Sequence, residues 1–298
     1  MRFRTVAPVA CAALVALSLT GCVDNSSSSS SSTGAAVVVT KDASLAALLP
    51  ADVAASGKLT IASNNTYPPN EYKDDNGNAI GWDIDLANAI AAKLGLKTDY
   101  FLSDNFDAIL PRVTGGQSDI GVSSFTDSAD REQSVDFVNY YNAGILWAAP
   151  TGKTIDPNNA CGLNIAVQTG SYEDTDEVED KSKACVAAGK AAINKLKFDT
   201  QDAATNAVIL GKADAMSADS PVTLYAIAQS GNKLAEAGAT FDVAPYGIAL
   251  AKNSALTPVI QKTVQALIDD GTYTQILKKW GVNDGAVTSA TINAGGQG

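Results

Sequence analysis

A group of residues that could bind a carboxylate follows one of the apolar segments of this sequence. Ser123-Ser124-Phe125-Thr126 ends the apolar segment that begins at Asp119, and Arg131 comes a little more than one helical turn later. A guanidinium group can hold both oxygens of a carboxylate, and hydroxyl and backbone N–H groups can supply further donors. The alternative is an ordinary surface salt bridge between Arg131 and Glu132 or a neighbouring aspartate.

A possible partner for an ammonium group lies further along the chain. Asp219 follows an apolar segment at residues 213–217 and precedes Ser220-Pro221, which has the character of a helix start. An aspartate at that point commonly caps the helix. The same carboxylate could instead form an ion pair with an amine.

Two polar loops add an aromatic ring and a helix start. Tyr67 is followed by Pro68-Pro69, which would hold its ring rigidly at the edge of a cleft, although a tyrosine packed into a surface loop is also possible. The turn Gln168-Thr169-Gly170-Ser171-Tyr172 leads into a helix, whose N-terminus favours anions. It lacks a P-loop lysine and a dinucleotide fingerprint. An arginine for a carboxylate, an aspartate for an ammonium and an aromatic wall together predict a site for an α-amino acid.

The composition excludes several other classes of function. The chain has 298 residues, no histidine and a formal net charge of −11. The absence of histidine excludes Ser-His-Asp and Cys-His catalysis and histidine-ligated metal sites. An acidic chain without a basic run argues against a nucleic-acid surface. No motif predicts a metal ion or a cofactor.

The first residues have the pattern of an export signal and an anchor. Arg2 and Arg4 precede an apolar run at residues 6–19, which Leu19-Thr20-Gly21-Cys22 closes, so residues 1–21 read as a signal peptide. Cysteine at this position resembles the lipobox of bacterial lipoproteins, in which Cys22 is lipidated; a plain secretory signal is the alternative. Residues 22–54, with their run of serines, are predicted to be a flexible tether. The sequence thus predicts an extracytoplasmic protein held at the cell membrane through lipidated Cys22 alone.

The remainder alternates strand-like and helix-like segments, which predicts an α/β fold with a mostly parallel sheet. Examples are the strand-like residues 58–62, the helix-like residues 85–94 stopped by Gly95, and the helix-like residues 221–229. In an exported chain, Cys161 and Cys185 most simply form one structural disulfide. A redox-active pair is the alternative, but the spacing is not Cys-x-x-Cys.

Six short motifs follow one another in a characteristic order between residues 58 and 282. They are Tyr67-Pro68-Pro69-x-Glu71, Gly81-Trp82-Asp83-Ile84-Asp85-Leu86, Ser123-Ser124-Phe125-Thr126 with Arg131, Val135-Asp136-Phe137, Val167-Gln168-Thr169-Gly170-Ser171, and Ala213-Asp214-Ala215 with Asp219-Ser220-Pro221. Together they resemble the extracellular solute-binding proteins of polar amino-acid ABC importers, which have the type II periplasmic-binding fold.

The resemblance implies two lobes joined by two crossover hinge strands, with the ligand held between them. Lobe 1 would comprise residues 55–145 plus 247–282, and lobe 2 residues 146–246. The hinge would lie near residues 143–148 and 244–248, and residues 283–298 would form a flexible C-terminal tail. Such a protein is expected to be a monomer.

The resemblance also assigns roles within the cleft. It implies that the α-carboxylate is held by the backbone N–H of Ser124, the hydroxyl of Thr126 and the guanidinium of Arg131. Ser123 and Asp219 would hold the α-ammonium. The remaining ligand-binding residues that it implies are Tyr67 and Phe106 on the side-chain wall, Trp82 beside that wall, Ser171 and Tyr172 at the helix start, and Asn64 and Gln168 facing the ligand side chain.

Ligand selectivity is inferred from two of these positions. Basic-amino-acid members of the family often carry aspartate where Asn64 stands, and position 168 is the neutral Gln168 rather than lysine. Because neutral amides leave a charged side chain without a counter-charge in a closed cleft, we predict a neutral polar ligand such as glutamine or asparagine.

The expected partners are this amino acid and the permease of an ABC importer. One alternative is a ligand-gated sensory or interaction module, in which closure signals to a receptor. A second, weaker alternative is a lyase or dehydratase of small carboxylic acids on the same fold, with Asp219, Glu71 or Glu173 as the acid or base. No pair of carboxylates has a spacing that demands catalysis, so the sequence predicts a binding protein and not an enzyme.

Overall fold

The computed structural model describes residues 38–295. The predicted signal peptide, the lipidation site Cys22 and the serine run lie outside the described residues. Within residues 38–295, no helix has both the length and the apolar character needed to cross a membrane.

In the described part of the chain, thirteen strands form one ten-stranded sheet and one three-stranded sheet. The strands are β1 (Lys58–Asn64), β2 (Thr66–Tyr67), β3 (Glu71–Lys73), β4 (Ala79–Ile80), β5 (Lys97–Ser103), β6 (Ile120–Thr126), β7 (Val135–Pro150), β8 (Asn164–Gln168), β9 (Asn194–Phe198), β10 (Ala215–Asp219), β11 (Leu234–Glu236), β12 (Phe241–Ala251) and β13 (Ala286–Ile292).

Helices connect most of these strands. The α-helices are α1 (Ala43–Ala46), α2 (Ala51–Ser56), α3 (Trp82–Leu94), α4 (Ile109–Thr114), α5 (Ala129–Glu132), α6 (Val178–Ala187), α7 (Gln201–Ile209), α8 (Ser220–Gln229), α9 (Thr257–Asp269) and α10 (Thr272–Trp280). A π-helical turn, Glu173–Glu177, precedes α6.

The large sheet is parallel at both ends and antiparallel in the middle. Its order is β5-β1-β6-β12-β7-β10-β8-β9, with β11 and β13 also paired to β7. The outer strands β5-β1-β6 and β10-β8-β9 are parallel, as the alternation of strands and helices predicts. The expectation of a mostly parallel sheet fails only in the middle, where β7 and β12 run antiparallel to their neighbours.

Strands β7 and β12 are the crossovers between the two halves of the sheet. Residues 135–143 of β7 pair with β12, Ile145 pairs with both β12 and β10, and the following residues up to Pro150 pair with β10 and β11. The β7–β12 register shifts between Phe241 and Ala244 and again between Tyr246 and Gly247. The two-lobed α/β architecture with two crossover strands is therefore present.

Helix α3 begins at Trp82, three residues before the Asp85 predicted from helical spacing. Gly81 provides the start: its φ of +133° is a conformation that side chains rarely adopt, and a Cβ there would collide with the backbone carbonyl of Asn70. The helix ends as predicted at Gly95, whose φ is +72°. Because of the earlier start, Trp82 and Asp83 are buried inside the first lobe.

Two predicted flexible segments are corrected by the structure. The tether was expected to reach residue 54, but α1 lies within that range and α2 begins within it, with Asp42 capping α1 and Leu45 packed into a hydrophobic core cluster. The tail was expected to be flexible from residue 283, but β13 pairs with β7, and Asn293 accepts the N–H of Phe137 over 2.7 Å. Short segments without clear periodicity gain their order from this packing.

The predicted disulfide between Cys161 and Cys185 is confirmed. It ties the loop before β8 to helix α6. Cys185 is buried in the core of lobe 2, which fits a structural bridge rather than a reactive thiol pair.

Candidate functional site

All the predicted ligand-binding residues except Asn64 and Trp82 line one narrow cleft. The lining residues are Tyr67, Phe106, Ser123, Ser124, Thr126, Arg131, Gln168, Ser171, Tyr172 and Asp219. The cleft is nearly closed, with a cavity volume of only about 10 Å³. The cleft lies between the predicted lobes, because Tyr67 to Arg131 belong to the first and Gln168 to Asp219 to the second.

The ends of parallel strands bring these side chains together. Ser123, Ser124 and Thr126 end β6, Gln168 ends β8, and Asp219 ends β10. Ligands of open α/β sheets bind outside the carboxyl ends of the strands. The cleft is thus located where this architecture places a ligand site.

Asp219 and Tyr67 form a direct contact across the cleft. Tyr67 donates its hydroxyl proton to Oδ2 of Asp219 over 2.7 Å and accepts the backbone N–H of Asp219 over 3.2 Å. Burial raises the pKa of Asp219 to about 6, although this hydrogen bond and the charge of Arg131 act in the opposite direction. The Tyr67 hydroxyl thus occupies one of the two oxygens of this carboxylate.

Arg131 links the two walls at the other side of the cleft. Its Nη1 donates to the carbonyl of Thr126 over 2.9 Å, and its Nη2 donates to the carbonyl of Gly170 over 3.1 Å. Its guanidinium carbon lies 5.8 Å from the ring centres of both Phe106 and Phe125. These contacts leave guanidinium donors for an anion, as an arginine carries five N–H groups.

The predicted role of Ser124 requires correction. The backbone N–H of Ser124 donates to Oδ2 of Asp83 over 2.7 Å, so it is not available to a ligand carboxylate. Ser124 has a φ of +49°, in the left-handed region. The hydroxyl of Ser123 donates to Oε1 of Glu71 over 2.8 Å and accepts the N–H of Asn64 over 3.1 Å, which leaves one lone pair of this oxygen for an amine.

Asp83 and Glu71 form a fully buried carboxyl pair behind this wall. Tyr140 donates its hydroxyl to Asp83 over 2.8 Å, and Asn70 donates to the Ser124 hydroxyl over 2.8 Å. Burial and the nearby charge of Asp83 raise the pKa of Glu71 well above its usual range, and burial raises that of Asp83 to about 6. Both shifts favour the protonated form of a carboxyl group, and the hydrogen bonds of the pair support the serine wall.

Trp82 does not line the cleft, contrary to the prediction. Its side chain is fully buried, its indole lies 4.8 Å from the ring centre of Tyr141, and it stacks on Tyr246. Its Nε1 donates to Oδ1 of Asn70 over 2.7 Å. Trp82 belongs to the core of lobe 1.

Asn64 also lies away from the cleft, behind Thr66. Its Nδ2 donates to the carbonyl of Ser103 over 2.9 Å, and its Oδ1 accepts the N–H and the hydroxyl of Thr66. The prediction that this amide faces the ligand side chain is therefore wrong. It reaches the cleft only through Thr66, whose hydroxyl oxygen accepts Nε2 of Gln168 over 3.2 Å.

Glu173 is a residue that the sequence did not assign to the ligand site. It opens the π-helical turn directly after Tyr172, it is 1% exposed, and its Oε1 has no hydrogen-bond partner among residues 38–295. Burial and the neighbouring charge of Asp219 raise the pKa of Glu173 to about 8. The signal that could have indicated it is its place just after the helix-start turn, since π-turns occur frequently at functional sites.

Comparison with known proteins assigns the chain to a family. Residues 59–283 match the bacterial extracellular solute-binding proteins, family 3. The chain belongs to this family. The match confirms the family resemblance inferred from the six motifs.

Individual relatives match three quarters or more of the chain. The arginine-binding protein ArgT of Corynebacterium glutamicum is 38% identical over 98% of both chains. Among solved structures, an ancestral arginine-binding protein bound to arginine has a TM-score of 0.69 and 34% identity, and covers 75% of this chain and 98% of its own. An ancestral arginine-binding protein bound to glutamine has a TM-score of 0.68 and 33% identity, and covers 76% of this chain and 98% of its own. These relatives of the family 3 chain are binding proteins.

Proposed function

We propose that this family 3 protein captures one amino acid between its two lobes and delivers it to the permease of an ABC importer. The observation that carries the proposal is that Arg131 and Asp219, from opposite walls, line the same cleft. The two groups are complementary to the carboxylate and the ammonium of a zwitterion. The similarity to ArgT supports the same function.

Closure of the lobes is the proposed binding movement. The lobes are proposed as residues 55–145 plus 247–282 and residues 146–246. A ligand that touches both walls favours the closed form, because only that form makes both sets of contacts. We propose that the protein acts in this way as a monomer and does not transform its ligand.

We propose that the ligand has a side chain ending in N–H groups, with arginine and glutamine as the first candidates. The expectation of a neutral polar ligand depended partly on Asn64, which does not face the cleft. Glu173 adds a buried carboxyl group whose Oε1 has no hydrogen-bond partner within the described residues, and an N–H group of a ligand could donate to this oxygen. The names of the similar structures support both candidates, since one is an ancestral arginine-binding protein bound to arginine and another is an ancestral arginine-binding protein bound to glutamine.

Calorimetric titration of the mature chain with the twenty amino acids tests the proposal. We expect arginine or glutamine to bind most tightly and to raise the melting temperature, because a ligand of the folded state stabilises it. A chain that binds none of the twenty would contradict amino-acid capture. A chain that binds glutamate most tightly would contradict the proposed ligand class.

The affinity is expected to fall at acidic pH. Asp219 has a pKa raised to about 6, and an ammonium ligand pairs with its ionised form. Ligand binding therefore releases a proton below that pH, and linkage predicts about tenfold weaker binding at pH 5 than at pH 7. Titrations at both pH values measure the ratio.

The Asp219→Asn variant is the control for this pH dependence. It should bind weakly but with nearly equal affinity at the two pH values. An affinity of the unmodified protein that is unchanged from pH 7 to pH 5 would show that the ligand does not pair with the carboxylate of Asp219.

We propose that lipidated Cys22 holds the protein at the outer side of the cell membrane. The support is the sequence Leu19-Thr20-Gly21-Cys22 after an apolar run. The Cys22→Ser variant is expected to appear in the soluble fraction with its ligand affinity unchanged. If this variant stays with the membrane fraction, Cys22 is not the anchor.

A further inference from the structure

We propose that Thr66 is a positioning residue that selects ligands with N–H groups at the end of the side chain and rejects carboxylates. It acts by fixing the direction of the Gln168 amide through a chain of hydrogen bonds that begins at the backbone of Ser103. This inference rests on the proposed amino-acid binding and specifies how the cleft discriminates between side chains.

The first link of the chain fixes the orientation of Asn64. The carbonyl of Ser103 can only accept a hydrogen bond, so Asn64 must direct Nδ2 toward it, as the 2.9 Å contact shows. Oδ1 of Asn64 consequently faces Thr66 and accepts its backbone N–H over 3.0 Å and its hydroxyl over 2.9 Å. An aspartate at position 64 would have no proton to offer the carbonyl when ionised.

The second link fixes the orientation of Gln168. The Thr66 hydroxyl has one proton, which it gives to Asn64, so only lone pairs remain for Gln168. Gln168 therefore directs Nε2 toward Thr66 over 3.2 Å, and a second contact of 3.5 Å joins the same nitrogen to the carbonyl of Asp199.

The oxygen of Gln168 is thereby left for the cleft. Gln168 is 2% exposed and lines the cleft, and none of the described residues donates a hydrogen bond to its Oε1. A guanidinium or a carboxamide can donate to this oxygen, whereas the carboxylate of glutamate has only lone pairs to offer it. A buried polar group left without its partner disfavours the wrong ligand strongly.

The selection takes place on closure, because the chain of hydrogen bonds crosses between the lobes. Thr66 belongs to lobe 1 and Gln168 to lobe 2, and their contact requires the two walls to meet. When the lobes are apart, only the long 3.5 Å contact with the carbonyl of Asp199 orients the Gln168 amide. A side chain that cannot donate to Oε1 would therefore oppose the closed form itself.

The Thr66→Val variant tests this role, with Thr66→Ser as the matched control that keeps the hydroxyl. The probes are arginine, glutamine and glutamate; the last two are nearly equal in shape. The measured quantity is the Kd of glutamate divided by the Kd of whichever of arginine and glutamine binds more tightly, with glutamate measured by displacement. We expect this ratio to fall at least about fivefold in Thr66→Val, where only the long contact with Asp199 still orients the amide, and to stay within about twofold in Thr66→Ser.

The possible results separate the hypotheses. If Thr66→Val weakens all three ligands by the same factor, Thr66 only packs against its neighbours and the inference is overturned. If the unmodified protein binds none of them, the proposed function fails instead. The Gln168→Met variant, which removes both amide atoms, should lower the same ratio even if Thr66→Val folds poorly; an unchanged ratio there also overturns the inference.

Discussion

The Arg131→Ala variant is expected to bind its amino acid about 100-fold or more weakly than the unmodified protein, a loss on the order of 3 kcal/mol. The variant removes the guanidinium that lines the cleft and leaves the ligand carboxylate without a counter-charge in a nearly closed space. It also removes the hydrogen bond to the carbonyl of Gly170, which links the two walls. Calorimetric titration at pH 7 measures the loss.

Arg112→Ala is the matched control for this prediction. Arg112 lies over the ring of Phe101 at 4.0 Å and donates to Ser118 and Gln117, away from the cleft. Its removal should leave the affinity within about twofold, because surface substitutions distant from a site have small effects. A loss below tenfold in Arg131→Ala, or an equal loss in the two variants, would contradict the assignment of Arg131.

The Trp82→Ala variant is expected to lower the free energy of unfolding by about 3–5 kcal/mol. The side chain is fully buried among Tyr140, Tyr141 and Tyr246, so its removal leaves a large cavity. Removal also leaves Oδ1 of Asn70 without its donor. Denaturant unfolding at equilibrium measures the difference.

Two other variants separate a role in the core from a role in ligand binding. Trp280→Ala removes a partly exposed indole and should lower the free energy of unfolding by clearly less, within about 2 kcal/mol. Trp82→Phe should destabilise the fold while leaving the ligand affinity within about threefold, since the indole does not line the cleft. A Trp82→Phe protein of normal stability and greatly reduced affinity would restore Trp82 to the ligand wall.

The sequence was sufficient to predict where the site would form, because strand ends are local features. Polar clusters at Ser123, Gln168 and Asp219 each follow an apolar segment, and parallel strands bring such ends to one edge of a sheet. The family resemblance then assigned opposite walls to Arg131 and Asp219. The side chains that line the cleft follow from these two considerations.

The hydrogen bonds behind the cleft could not be predicted in the same way. Asp83 and Ser124 are 41 positions apart in sequence, and their contact depends on the start of α3 at Gly81 and on a positive φ at Ser124. Neither feature has a periodic signal. For that reason the sequence assigned the N–H of Ser124 to the ligand although Asp83 accepts it, and it placed Trp82 on the ligand wall.

The ends of the folded region were also beyond local analysis. Residues 43–56 and 286–292 are short and rich in alanine, serine and threonine, so neither helical spacing nor strand alternation marks them clearly. Their order comes from distant partners, such as the pairing of Thr291 and Ile292 with β7. These two segments therefore have fixed positions in the fold although their composition suggests flexibility.

The side-by-side course of β7 and β12 has a mechanical consequence. Gly144 allows strands β7 and β12 to approach closely in this region, since a Cβ at this position would lie 2.8 Å from the carbonyl oxygen of Phe241. Two adjacent, hydrogen-bonded strands can bend together, whereas twisting one relative to the other would disrupt the hydrogen bonds between them. We therefore expect the proposed movement of the lobes to follow mainly one bending angle, so that a neighbouring protein could distinguish a loaded molecule from an unloaded one by this angle alone.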